Sequence, residues 1–92
     1  MKYLIDTNIL LRLVEPKHAL HKETVEAILT LRSQDSFFVI LLQNISEFWN
    51  VCTRPKENNG LGFGIVETNG HLRRLERFFA VVPDTLEVYE TL

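Results

Sequence analysis

Three short apolar runs punctuate this chain: Tyr3-Leu4-Ile5, Phe37-Phe38-Val39-Ile40 and Ala80-Val81-Val82, each divided from the next by stretches of helical character. This alternation constrains the fold more than any other feature. Strands joined by helical crossovers run parallel, and the crossovers are right-handed. The middle run is continuous, aromatic and β-branched, as in a strand buried on both faces. The order is β-α-α-β-α-α-β-α without an internal repeat. It predicts a small α/β sandwich with a short parallel sheet, one domain over residues 1–92.

The helices are placed by their apolar spacing and their stop signals. Ile9 to Val14 is helical in type and should end near Glu15, because Pro16 disfavours helical geometry in the residue before it. From Ala19 to Ser33, Val25, Ile28 and Leu29 fall at i, i+3 and i+4; Arg32 closes the stripe and Leu31 continues it less neatly. Ile45, Phe48, Trp49 and Cys52 form a cleaner stripe at i, i+3, i+4 and i+7, ending before Pro55. The segment from Arg54 to Gly64 is turn-rich and predicts a flexible connection. A helix from Ile65 to about Phe79 contains Asn69-Gly70, a weak point for helix formation. Asp84-Thr85-Leu86-Glu87 reads as the capping-box start of a last helix running into the C-terminus.

Composition excludes several function classes. The sequence has 92 residues, with 10 Lys+Arg against 12 Asp+Glu, so no basic excess points to a phosphate backbone and any nucleic-acid contact has to be local. Its one cysteine, Cys52, excludes an intramolecular disulfide and a cysteine zinc cluster. Cys52 lies on the buried stripe and is expected to be inert packing. The longest apolar run, Phe37 to Leu42, is far below the ~20 residues that span a bilayer. Asp6 interrupts the N-terminal apolar stretch, so no signal-peptide core is expected and a cytoplasmic location is.

Asp6 is the most informative residue. It stands at the carboxyl end of the first strand, where open parallel sheets place their ligands. It also suits an N-cap for the helix beginning near Asn8, and position alone favours that role. Glu47 lies on the helix after the second strand, beside the buried stripe, with Gln43 and Asn50 at i−4 and i+3. With Ser46 and Arg54 these residues form a polar strip that fits either a site wall or a solvated helix face. If strands one and two are neighbours, Asp6 and Glu47 converge at one sheet edge. Two converging carboxylates are hard oxygen donors suited to Mg²⁺ or Mn²⁺.

The run Tyr3-Leu4-Ile5-Asp6-Thr7-Asn8-Ile9-Leu10-Leu11 resembles the opening of PIN-domain proteins, the family of the VapC-type ribonuclease toxins. Gln43-Asn44-Ile45-Ser46-Glu47-Phe48-Trp49-Asn50-Val51 resembles the family's second motif, whose glutamate is the second acid. Arg54-Pro55, Asn59-Gly60-Leu61-Gly62, Leu75-Glu76 and Pro83-Asp84 resemble one bacterial branch. The resemblance implies a three-layer, Rossmann-like PIN fold and a Mg²⁺-dependent endoribonuclease held in check by an antitoxin. It implies that Asp6 and Glu47 are catalytic metal ligands, with Thr7 or Asn8 orienting Asp6 or touching metal-bound water. Asn50 is a supporting residue next to Glu47.

The chain also departs from that pattern. The family continues into a further helix with a third acid and a strand and turn with a fourth. Asp84 is read instead as a helix cap, and Glu67 and Glu76 as solvated helix residues. A two-carboxylate site would hold Mg²⁺ or Mn²⁺ weakly. Without the later strands, Tyr3-Leu4-Ile5 would be an exposed apolar edge that pairs with another chain, so a homodimer or higher oligomer is expected. The alternative to an enzyme is an inactive, C-terminally truncated PIN remnant that binds an antitoxin, RNA or another copy. A phosphate-accepting receiver domain also carries acid at its first strand, but needs an acidic pair there and a late lysine.

Other features are read as structural. Gly60, Gly62 and Gly64 lack dinucleotide-binding spacing and follow a helix rather than a strand. His18 and His21 are expected at the surface without a third ligand. Lys56, Arg73, Arg74 and Arg77 supply local positive charge suited to RNA phosphate or to a solvated face.

Overall fold

The computed structural model describes residues 2–83 and 90–91. The elements are β1 (Lys2–Leu4), α1 (Thr7–Leu13), α2 (His21–Ser33), β2 (Phe37–Leu41), α3 (Leu42–Thr53), a 3-10 turn (Lys56–Asn58), α4 (Ile65–Glu76), β3 (Ala80–Val82) and β4 (Glu90–Thr91). The sheet order is β3-β2-β1-β4, and every pairing is parallel. The α/β class and parallel sheet are as the alternation of apolar runs predicts. Among the described residues no helix is long and apolar enough to cross a membrane.

Register assigns the two faces of the sheet. Tyr3 pairs with Phe38, so these two, with Ile5 and Ile40, project to one side. That side meets the helices: Ile5, Phe38 and Ile40 join Leu10 and Val14 of α1, Phe48 and Cys52 of α3, Leu75 of α4 and Phe79 in one buried cluster. Ile28 and Leu31 of α2 pack against it. Each of the described α-helices contributes side chains to this cluster or to its margin. Val39 faces the other way and is buried outside that cluster.

Two expectations about the sheet are corrected. β1 is not an edge: Tyr3 and Leu4 pair with Glu90 and Thr91 of β4, which satisfies the backbone groups that would have recruited another chain. The expected last helix does not reach the C-terminus, since Glu90–Thr91 is strand. Its capping box at Asp84 to Glu87 lies outside the described residues.

The α2 stripe is also rotated from its predicted position. Leu29 is 58% exposed, whereas Thr24, Ile28 and Leu31 at i, i+4 and i+7 face inward. Thr24 is tolerated there because its hydroxyl donates to the Leu20 carbonyl at 2.7 Å. Asn69-Gly70 does not break α4, which runs unbroken to Glu76.

The glycine-containing segment after α3 is held rather than loose. Leu61, Phe63 and Gly62 donate their N–H groups to the carbonyls of Val51, Cys52 and Arg54 at 2.9, 2.8 and 2.8 Å. The Val51 and Cys52 carbonyls are among those left without intrahelical partners where α3 ends. Gly60 permits the close return: a β-carbon there would lie 2.0 Å from the Arg54 carbonyl oxygen.

Candidate functional site

Strand β1 ends at the start of α1, and Asp6 occupies the junction. Its backbone is extended and its Oδ1 accepts the Thr7 N–H at 2.9 Å, so it caps α1. Oδ2 is engaged by no described residue. The capping role predicted for Asp6 is present, and the carboxylate retains lone pairs beyond it.

α3 begins where β2 ends, one strand away, so its first turns stand beside those of α1. Asn44 fixes the start of α3: its Oδ1 accepts the Leu41 N–H at 3.2 Å, the reciprocal half of a capping box. Its Nδ2 donates to the Thr7 hydroxyl oxygen at 3.2 Å. The Thr7 hydroxyl donates in turn to Glu47 Oε2 at 2.8 Å. Gln43, one turn before Glu47, donates from Nε2 to Oε1 at 3.2 Å.

Thr7 is thus the hinge of the arrangement. It is 7% exposed, and its two donors serve the two acids, the N–H for Asp6 and the hydroxyl for Glu47. Asp6 and Glu47, predicted to converge, hang from one residue at the carboxyl edge of the sheet. Thr7 meets Asp6 through its backbone rather than its side chain. Asn8 and Asn50, predicted to support the site, are exposed and take no part in this set of bonds. Asn50 instead lies in a shallow groove with Ile45, Ser46 and Trp49.

Asn44 is a participant that neither a charge nor an apolar stripe marks in the sequence. The available signal was its place three residues after Leu41, where a helix-starting side chain can reach back to its own N-cap. Nothing local announced its second bond, because Thr7 lies 37 positions away.

The remaining candidates lie elsewhere. His18 Nδ1 accepts the Leu20 N–H at 2.9 Å, and His21 Nδ1 bonds the Arg12 carbonyl at 2.7 Å, so both fasten the α1–α2 connection. Arg74 donates to His71 Nδ1 at 2.7 Å, and Glu67 stands 3.9 Å from the other ring nitrogen. Burial, reinforced by Arg74 and opposed by Glu67, lowers the His71 pKa below its ordinary 6.5. Cys52 is buried, and burial with the negative charges of Glu15 and Glu67 pushes its thiol from 9.0 up to about 12. It is neutral packing, as its stripe predicts.

Among the described residues no three His, Cys, Asp or Glu side chains gather into a metal-binding group. The site consists of two carboxylates, one buried hydroxyl and two carboxamides. No protein-family model, curated protein or solved structure matches the chain.

Proposed function

We propose that Asp6 and Glu47 form a divalent-metal pair serving RNA phosphodiester cleavage, in the manner of the PIN-type, VapC-like ribonucleases that the two motifs resemble. The observation that carries the reading is the Thr7–Glu47 bond, which brings the second acid to the residue next to the first. Hard carboxylate oxygens at the carboxyl edge of a parallel sheet suit Mg²⁺ or Mn²⁺. When bound, such an ion lowers the pKa of its water and offsets charge on a phosphoryl oxygen. Asp6 and Glu47 would hold it, and Thr7 keeps both carboxylates from swinging apart. With two carboxylates the binding is weak, and an RNA phosphate completes it. A cognate antitoxin would act by covering this edge.

A second reading has its own support: both acids already have structural work. Asp6 caps α1, and Glu47 ties α3 to it. On this reading the chain is an inactive PIN-like remnant whose surface binds RNA, an antitoxin or another copy. Incubation of single-stranded RNA with purified protein and Mg²⁺ or Mn²⁺ separates the two. Metal-dependent cleavage abolished by Asp6→Asn supports the enzyme. Intact RNA with folded wild type favours the remnant.

A further inference from the structure

We propose that Asn44 is a positioning residue for Glu47, acting through the Thr7 hydroxyl; the inference rests on the reading of Asp6 and Glu47 as a metal pair. Hydrogen-bond direction sets the role of each group. The Leu41 N–H needs an acceptor, so it fixes Oδ1 as the end of the Asn44 amide that faces the backbone. The other end, the NH₂, must then face Thr7 Oγ1, 3.2 Å away. A hydroxyl has one proton. With a donor already on its oxygen, Thr7 must direct that proton elsewhere, and Glu47 Oε2 is the acceptor at 2.8 Å.

The four groups form a chain with one sense, from Leu41 N–H through Asn44 and Thr7 to Glu47. Its middle is shielded, because Thr7 is buried and Asn44 half-buried. Gln43 holds the opposite Glu47 oxygen from the exposed side, where water competes. The shielded chain is the stronger constraint on the carboxylate. Asn44 thereby couples the start of α3 to the orientation of an acid one turn later, without a hydrogen bond to that acid.

The test is a double-mutant cycle on Mn²⁺ affinity, measured by calorimetry for wild type, Asn44→Ala, Thr7→Val and the pair. Each single change should weaken Mn²⁺ binding by on the order of 10-fold, as loss of a group behind a ligand does. The pair should be no weaker than the worse single variant, since both act through one bond. Asn44→Ser, which can retain an oxygen for the Leu41 N–H, substitutes where Asn44→Ala fails to fold. Wild-type affinity in the Asn44 variant, or independent losses that multiply, would overturn the proposal.

A metal-free measurement accompanies the cycle: the nuclear Overhauser contact from the Thr7 hydroxyl proton to the Glu47 side chain. It should be present in wild type and lost in the Asn44 variant. Its persistence there overturns the proposal. If wild type and Asp6→Asn both fail to take up Mn²⁺, the metal reading falls, and the Overhauser contact alone decides the role of Asn44.

Discussion

The hydroxyl of Thr7 donates to Glu47 across 2.8 Å, joining the first turn of α1 to the exposed side of α3. The two residues are 40 positions apart, and the contact exists because β1 and β2 are neighbours whose helices start at the same sheet edge. Thr7 also holds Asp6 through its N–H, so this residue is both a packing element and the link between the acids.

Replacing Thr7 by Val should destabilise the fold by about 1–2 kcal/mol in urea unfolding. The substitution keeps the volume but strips Glu47 and Asn44 of a shared partner; a hydrogen bond to a charged group contributes ~1.5–3 kcal/mol, less where that group is exposed, as Glu47 is. Thr7→Ser keeps the hydroxyl and should recover most of the loss.

Two glycines should respond oppositely to alanine. Gly60→Ala drives a β-carbon into the Arg54 carbonyl oxygen, so the loop must lift from the end of α3, and the expected loss is about 2–3 kcal/mol. Gly70→Ala meets only the tip of the flexible Arg74 side chain, at 3.6 Å, inside a continuous helix. It should stabilise by roughly 0.5–1 kcal/mol. Thermal or urea melts of the two variants check both signs.

Cys52 should resist alkylation in the native protein at pH 8 and react on unfolding. Its raised pKa also has a stability consequence with a definite sign. The unfolded thiol ionises near pH 9, while the folded one remains neutral to about pH 12. The stabilisation is complete below pH 9 and is lost as pH rises through that window. The stability difference between wild type and Cys52→Ala should therefore narrow above pH 9.

His71 should titrate below 6.5 in a proton-NMR series. Its neighbours act in opposite directions, so Arg74→Gln should raise the midpoint and Glu67→Gln should lower it further. Midpoints that move the other way would contradict the assigned causes.

The elements that could be read from the residues are those whose pattern is local. The Ile45, Phe48, Trp49, Cys52 stripe predicts the buried side of α3, and Phe48 and Cys52 are fully buried. Pro16 and Pro55 mark helix ends. The Asp6 cap follows from its place before a helical run. Most of what could not be read depends on partners distant in sequence. Glu90–Thr91 is strand because β1 offers it a ladder, although an upstream capping box argued for helix. The α2 stripe turned toward Thr24 because a hydroxyl bonded to its own helix can be buried, which an apolar count ignores. Asn44 announces its cap by spacing but not its bond to Thr7, which sheet topology supplies.

The central claim, that Asp6 and Glu47 act as one site, is tested most directly by titrating Mn²⁺ into wild type, Asp6→Asn and Glu47→Gln, each verified as folded by circular dichroism. The claim predicts weak, saturable binding to wild type and loss of that binding in either variant alone. Equal Mn²⁺ uptake by all three folded proteins would contradict it.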